Sequence, residues 1–325
     1  MSATLTAAAP RRLRFAVSQE WLLAIAILLL FVGVGLYNPR FVASRNLQSI
    51  LLGNAYVAVA AIGMSMVIIS GNIDISVGSL IGVLASVSGG LAVAGVPSVL
   101  AWLIPVAIGS AVMAAQGALV AYLGLPSIVV TLGMLSILKG GLISVTNGVW
   151  ISNLPDNYHL AQWSLFGVVP MPVAFMVVLT IAAAWWMRNT ALGRSIYAVG
   201  GNAEAARLCG IGRERTLMMV FAVHGAFVGI AAVLFATQLS VIQSTVPSNL
   251  ELTIITASVV GGVSILGGTG TVVGATLAAV LIAAIGSSLI FVNLSPFWLR
   301  AVQGILILVT VLADIYRRRR RGLAR

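Results

Sequence analysis

The chain has 325 residues, of which 60% are hydrophobic and only 8% charged. That composition excludes a soluble globular domain and places the chain in a membrane. The net charge of +11 is not a nucleic-acid signature, because the arginines gather at a few points between and beyond apolar runs.

Arg11, Arg12 and Arg14 precede the first apolar span, 21–37. This start resembles a signal peptide. However, the span runs long, lacks a small-x-small cleavage site and is followed by Asn38-Pro39-Arg40, so it reads as an uncleaved first crossing. Further on, residues 75–138 and 252–299 carry no charged side chain. Each stretch exceeds the ~20 residues of one helical crossing, so each holds more than one. Turn signals divide them at Gly95-Val96-Pro97, Gly124-Leu125-Pro126 and Gly267-Gly268-Thr269-Gly270. The expectation is an all-α polytopic membrane protein of about ten transmembrane helices, at 21–37, 49–70, 75–95, 98–122, 127–146, 171–187, 216–237, 252–266, 271–291 and 297–315.

An even number of crossings puts both termini on one side. With the termini in the cytoplasm, residues 188–215 lie there too. The inner arginines are then Arg11, Arg12, Arg14, Arg188, Arg194, Arg207, Arg213, Arg215, Arg317–Arg321 and Arg325, against Arg40, Arg45 and Arg300 outside. The positive-inside rule selects this orientation. The expected organisation is a basic cytoplasmic segment over 1–20, a membrane domain over 21–315 and a basic cytoplasmic tail over 316–325. Arg317–Arg321 suit anionic lipid headgroups of the bilayer. Segment 147–170 falls outside and carries Trp150 and Trp163, residues that favour the membrane interface.

Between the second and third apolar spans, Gly71-Asn72-Ile73-Asp74-Ile75-Ser76-Val77-Gly78-Ser79 interrupts the run. An acid at membrane depth is costly and needs a partner or a task. One reading makes Asn72, Asp74 and Ser76 a polar lining of a pathway for a hydroxyl-rich solute. The structural reading has Asp74 or Ser76 capping the next helix and Asn72 satisfying freed backbone groups. Gly261-Gly262 through Gly270 repeats the style later in the chain. Paired interruptions mark transport sites in repeat transporters, while glycine also serves simple close packing of helices. Lys139 sits inside a crossing near its outer end, where its stem reaches water.

In the polar stretch 188–215, Asn202-Ala203-Glu204-Ala205-Ala206-Arg207-Leu208-Cys209-Gly210 reads as a complete short helix. Asn202 is an N-cap, Glu204 suits the positive end of the dipole, and Gly210 supplies a left-handed stop. Ala205, Ala206 and Leu208 form a slim surface able to enter a groove. A surface helix that merely joins two crossings has the same signature.

With Lys139 the only lysine, there is no G-x-x-x-x-G-K-[ST] loop for ATP. His159 and His224 stand far apart, Cys209 is single, and the acids are scattered, so neither a metal motif nor a catalytic constellation is visible. A chain of this kind driven by ATP needs a separate ATPase.

Taken in order, several segments resemble the ribose-type permease family, the membrane subunits of bacterial ABC importers for simple sugars. They are Asn38-Pro39-Arg40-Phe41, Gly71–Ser79, Leu125–Gly133, Gly193–Asn202 with Ala205-Ala206 and Gly210-Ile211, Gly261-Gly262 with Gly267-Gly268, and Pro296-Phe297-Trp298. The resemblance covers about residues 20–315 and, within the family, is nearest to permeases for autoinducer-2 and rhamnose-like sugars. It implies a second permease subunit, identical or a sister chain, a cytoplasmic ATP-binding-cassette ATPase, a periplasmic sugar-binding protein, and no cofactor, nucleic acid or catalysis in this chain. It also implies that Asn202, Ala203, Glu204, Ala205, Ala206, Arg207, Leu208 and Gly210 form the coupling helix that receives the ATPase. Lys139 stands where the family commonly has an arginine, and a lysine lacks the bidentate fork. The competing class is an ion-coupled secondary transporter or channel acting alone, which needs titratable groups within the spans.

Overall fold

A helix that is apolar on every side must be enclosed by other helices or by lipid. The computed structural model, which describes residues 18–320 except 168, 246 and 248, shows both outcomes. Helix α2 (Ser44–Ile69) is enclosed by protein. From Val57 to Ile69 it exposes almost nothing. Helices α9 (Arg213–Ala236) and α11 (Val272–Phe291) pack along it, and α6 (Met171–Asn189) and α10 (Leu250–Val260) complete its surroundings. By contrast α1 (Gln19–Tyr37), α5 (Ser127–Thr146) and α12 (Trp298–Arg320) leave long apolar faces exposed, as lipid- or partner-facing helices do.

The remaining membrane helices are α3 (Val77–Val93) and α4 (Ser98–Tyr122). Small residues let α4 and α9 approach closely. A Cβ at Gly109 would come 2.6 Å from the Gly225 carbonyl oxygen, and one at Gly117 would come 2.7 Å from Phe221 Cβ. In lipid, where apolar burial gives no drive to associate, such contacts supply the dispersion energy that holds helices together. Pro105 inside α4 cannot donate to the Ala101 carbonyl. Ser88 Oγ of α3 donates to that carbonyl instead, at 2.8 Å, and Tyr158 Oη donates to Ser88 Oγ, also at 2.8 Å. Tyr158 belongs to segment 147–170, which folds into two short turns, 156–158 and 160–162, and a hairpin of β1 (Ser164–Leu165) with β2 (Val169–Pro170).

All ten predicted helices are present, and eight of the described helices are long and apolar enough to cross a membrane. The other two differ from expectation. The helix expected at 75–95 spans Val77–Val93, and the one expected at 252–266 ends at Val260. Gly262, Gly267, Gly268 and Gly270 all take positive φ, so the apolar residues between them belong to an irregular loop. The stretch 188–215 is more ordered than expected. Thr190 accepts from the Gly193 amide and starts α7 (Ala191–Gly201), which is followed by α8 (Ala203–Leu208). The expected basic segment with Arg11, Arg12 and Arg14, and Arg321 and Arg325 of the tail, lie outside the described residues.

Candidate functional site

The two interrupted regions, 71–76 and 261–271, meet at the end of α7. Gly71 has φ +84°, which turns the chain out of α2. The Gly268 amide donates to the Ile69 carbonyl at 2.8 Å. A Cβ at Gly267 would lie 2.6 Å from the Gly200 carbonyl oxygen and 3.1 Å from Gly71 Cα, and one at Gly268 would lie 2.6 Å from Gly201 Cα. Tyr197 Oη of α7 donates to the Gly270 carbonyl at 3.0 Å. Three glycine motifs distant in sequence thus form one backbone-to-backbone junction, so a displacement of α7 acts directly on both loops.

Beyond the junction, Asp74 is fully buried in a polar network. Its Oδ1 accepts from the Ser76 amide at 2.7 Å and from Ser76 Oγ at 2.6 Å. Its Oδ2 lies 3.0 Å from His224 Nε2 of α9, whose ring N–H donates to the carboxylate. Ser76 Oγ also lies 3.3 Å from the Gln116 amide of α4. Asn72 Nδ2 reaches the Ser70 carbonyl and hydroxyl oxygens at 3.3 and 3.1 Å. Ser76 makes no side-chain cap to α3. Asp74 and Ser76 therefore share one buried network with His224 and Gln116, while Asn72 is held separately by Ser70. The partner that Asp74 lacked on sequence grounds is His224, 150 residues later. Its other ring nitrogen, Nδ1, faces Gly63 of α2 and has no hydrogen-bond partner among the described residues.

The short helix α8 has the expected signals. Asn202 Oδ1 accepts from the Ala205 amide at 3.0 Å, and Glu204 pairs with Arg207 at 2.7 Å on the surface. Gly210 takes φ +80°, and the Ile211 amide closes on the Ala206 carbonyl at 3.0 Å, the six-to-one bond of a Schellman stop. Ala203 faces the core cluster at half burial. Ala205 and Leu208 are exposed, whereas Ala206 is buried against the chain's own helices, so the outward surface is not the Ala205-Ala206-Leu208 strip that was expected.

Two cavities flank the first turns of α10. One, of about 490 Å³, is lined by Asn46, Ser49, Asn54 and Tyr56 of α2, Thr253 of α10 and Ser287 of α11, among others. The other, of about 290 Å³, is lined by Ser79, Leu135, Lys139, Asn249, Glu251 and Arg300, with Pro247 common to both. Lys139, placed on sequence grounds simply at a water-reaching helix end, faces two other charges there. Glu251 and His224 gave no sequence signal, since neither belongs to a spaced motif.

A bundle around a buried helix, with two glycine-broken elements and cavities beside them, defines a multi-pass membrane protein. Residues 46–311 match the family described as the branched-chain amino acid transport system permease component. The chain belongs to this family of ABC importer permeases and is a multi-pass protein of the bacterial inner membrane. It is 35% identical over 291 residues to the autoinducer 2 import system permease protein LsrC of Enterobacter sp. (strain 638), covering 89% of this chain and 84% of that protein. The proteins of the same description from Yersinia pseudotuberculosis serotype O:3 (strain YPIII) and Salmonella typhi are 34% and 33% identical, over 91% and 89% of this chain and 85% and 84% of theirs. No solved structure matches.

Proposed function

We propose that this chain is the translocation subunit of an ATP-driven importer for a small sugar-like solute of the autoinducer-2, rhamnose or ribose class, moved into the cytoplasm by alternating access. The observation that carries the coupling part is the chain of contact from α8 through α7 to the Gly200–Gly268 junction and so to both interrupted loops. A push on α8 by a docked ATPase has a short, rigid route to the ends of α2 and α10. The residues proposed to receive that push are Asn202, Ala203, Glu204, Ala205, Ala206, Arg207, Leu208 and Gly210. Asn72, Asp74 and Ser76 are proposed to act on the pathway by fixing the first loop. Autoinducer-2 follows the names of the relatives, and rhamnose and ribose follow the resemblance read from the sequence, rather than the family description.

Both termini and α7–α8 are proposed to be cytoplasmic, with 147–170 periplasmic, because that arrangement puts most arginines inside. The full machine then comprises a second permease subunit, identical or a sister chain, the ATPase, and a periplasmic sugar-binding protein. The test is uptake in proteoliposomes containing the chain, the ATPase and the binding protein. ATP-dependent uptake that is insensitive to an uncoupler supports the reading.

One observation favours the second reading, an ion-coupled carrier or channel. The buried Asp74–His224 pair is a titratable couple inside the bundle. Uptake by the chain alone that collapses with an uncoupler and survives ATP depletion selects that reading.

A further inference from the structure

Charged residues are scarce between the two ends of this chain, yet three of them converge on one cavity. After Asp74 the next charge is Lys139, and after Glu251 the next is Arg300. Lys139 of α5, Glu251 in the first turn of α10 and Arg300 of α12 all line the cavity of about 290 Å³, with Asn249 and with Ser79 of α3. Each has an ordinary explanation when taken alone. Glu251 suits a helix N-terminus, and a lysine stem reaches water. Those explanations do not account for opposite charges that face one cavity without closing on each other. None of the three makes an ion pair within 4.0 Å or a side-chain hydrogen bond to a described residue.

The carboxylate also packs closely against α3. A Cβ at Gly78 would come 2.5 Å from Glu251 Oε2 and 3.0 Å from the Glu251 amide nitrogen. The missing side chain on α3 is therefore the space in which Glu251 rests, and this acceptor shares the cavity lining with two cationic donors.

We infer that this cavity is a binding site for a small neutral or singly anionic polyol on its way through the permease. This rests on the proposed importer function and narrows it to a site. A hydroxyl group both donates and accepts, so adjacent hydroxyls can donate to Glu251 and accept from Lys139, Arg300 and the Asn249 amide. The cavity is close to the lower end of ligand-site volumes, about 300 Å³. Leu135 and Pro247 are its apolar lining, too little to enclose a branched aliphatic side chain. A zwitterionic amino acid could satisfy the charges but would leave such a side chain poorly buried. The two cations against one acid disfavour cationic solutes.

The test uses the full chain reconstituted with its ATPase and binding protein, and four radiolabelled probes: D-ribose, L-rhamnose, autoinducer-2 and L-leucine. If the wild type imports none of them with ATP, the importer reading fails and the polyol site, which rests on it, is overturned with it. If it imports L-leucine but none of the three polyols, the importer reading stands and the polyol site is overturned. If it imports a polyol, Glu251→Gln, Lys139→Met and Arg300→Met each lower the polyol imported per ATP hydrolysed more than fivefold, and Lys139→Arg restores it. Lys139 and Arg300 are exposed in the protomer, so their substitution leaves the fold intact. Ratios within fivefold of the wild type, or a Lys139→Arg variant no better than Lys139→Met, overturn the site.

Discussion

Gly200 of α7 lies against the Ile69 carbonyl oxygen so closely that a Cβ on Gly200 would overlap it. The same carbonyl accepts from the Gly268 amide, so the space cannot be opened without breaking a backbone hydrogen bond at the end of α2. Its neighbour Gly201 is different. A Cβ there would meet Gly268 Cα at 3.9 Å, an ordinary contact. Gly200→Ala is therefore expected to destabilise the chain by at least ~1–3 kcal/mol, as overpacking does, and to impair uptake. Gly201→Ala is expected to be close to neutral. Thermal unfolding in detergent and uptake of the two variants, measured side by side, check the contrast. Equal behaviour would dissolve the junction as a mechanical contact.

The second prediction concerns Asp74 and His224. Both are fully buried, and removing either leaves the other in the bundle without its charged or polar partner. Asp74→Ala and His224→Leu are each expected to cost ~3–5 kcal/mol, the range for breaking a buried pair. The double variant is expected to cost less than their sum by about 1 kcal/mol or more, because neither partner is then orphaned. A double-mutant cycle in chemical or thermal unfolding measures this. Strict additivity would show that the 3.0 Å contact carries no coupling.

Much of this architecture was legible in the sequence, and the missing parts share a cause. Apolar runs divided by glycine-rich turns and charged segments located the eight helices of crossing length, because crossing a bilayer demands a length and composition that survive any tertiary detail. The caps of α8 were legible because Asn202 and Gly210 act within a few residues of chain. The end of α10 was missed because Val263, Ile265 and Leu266 extend the apolar run past the glycines at which the helix stops. The burial of Ala206 rather than Ala205 was not readable, since a six-residue helix of small side chains has no apolar stripe to fix its rotation. The Asp74–His224 pair and the cavity shared by Lys139, Glu251 and Arg300 join residues far apart in the chain. A single sequence contains no signal for such meetings, only the cost of leaving those groups alone.

A third prediction comes from segment 147–170. Tyr158 is buried and donates to Ser88, and burial pushes its hydroxyl up from 10.0 to about 12. Between those values the unfolded chain releases this proton while the folded chain keeps it. Stability from this group is thus fully present below pH 10 and is lost as pH rises toward 12. The wild type is expected to show a falling melting temperature from pH 10 to 11.5. Tyr158→Phe removes this group's part of the slope, and at pH 8 it costs ~1 kcal/mol for the lost hydrogen bond. An unchanged slope in the phenylalanine variant would show that Tyr158 is not the group responsible.

The last prediction separates docking from folding at α8. Ala206 is 5% exposed and packs into the chain's own core, whereas Ala205 is exposed one residue earlier. A tryptophan at Ala206 must displace neighbouring helices, so Ala206→Trp is expected to lower the melting temperature and the yield of inserted protein. A tryptophan at Ala205 extends away from the chain and has no internal clash to relieve. Ala205→Trp is therefore expected to leave the melting temperature within error of the wild type while weakening co-purification of the ATPase and abolishing ATP-driven uptake. Because α8 is held by the Asn202 cap and the Gly210 stop, it presents a rigid outer face, and one bulky group there is enough to spoil a close fit. If Ala205→Trp binds the ATPase and transports like the wild type, α8 is a connector between helices and the ATPase docks elsewhere.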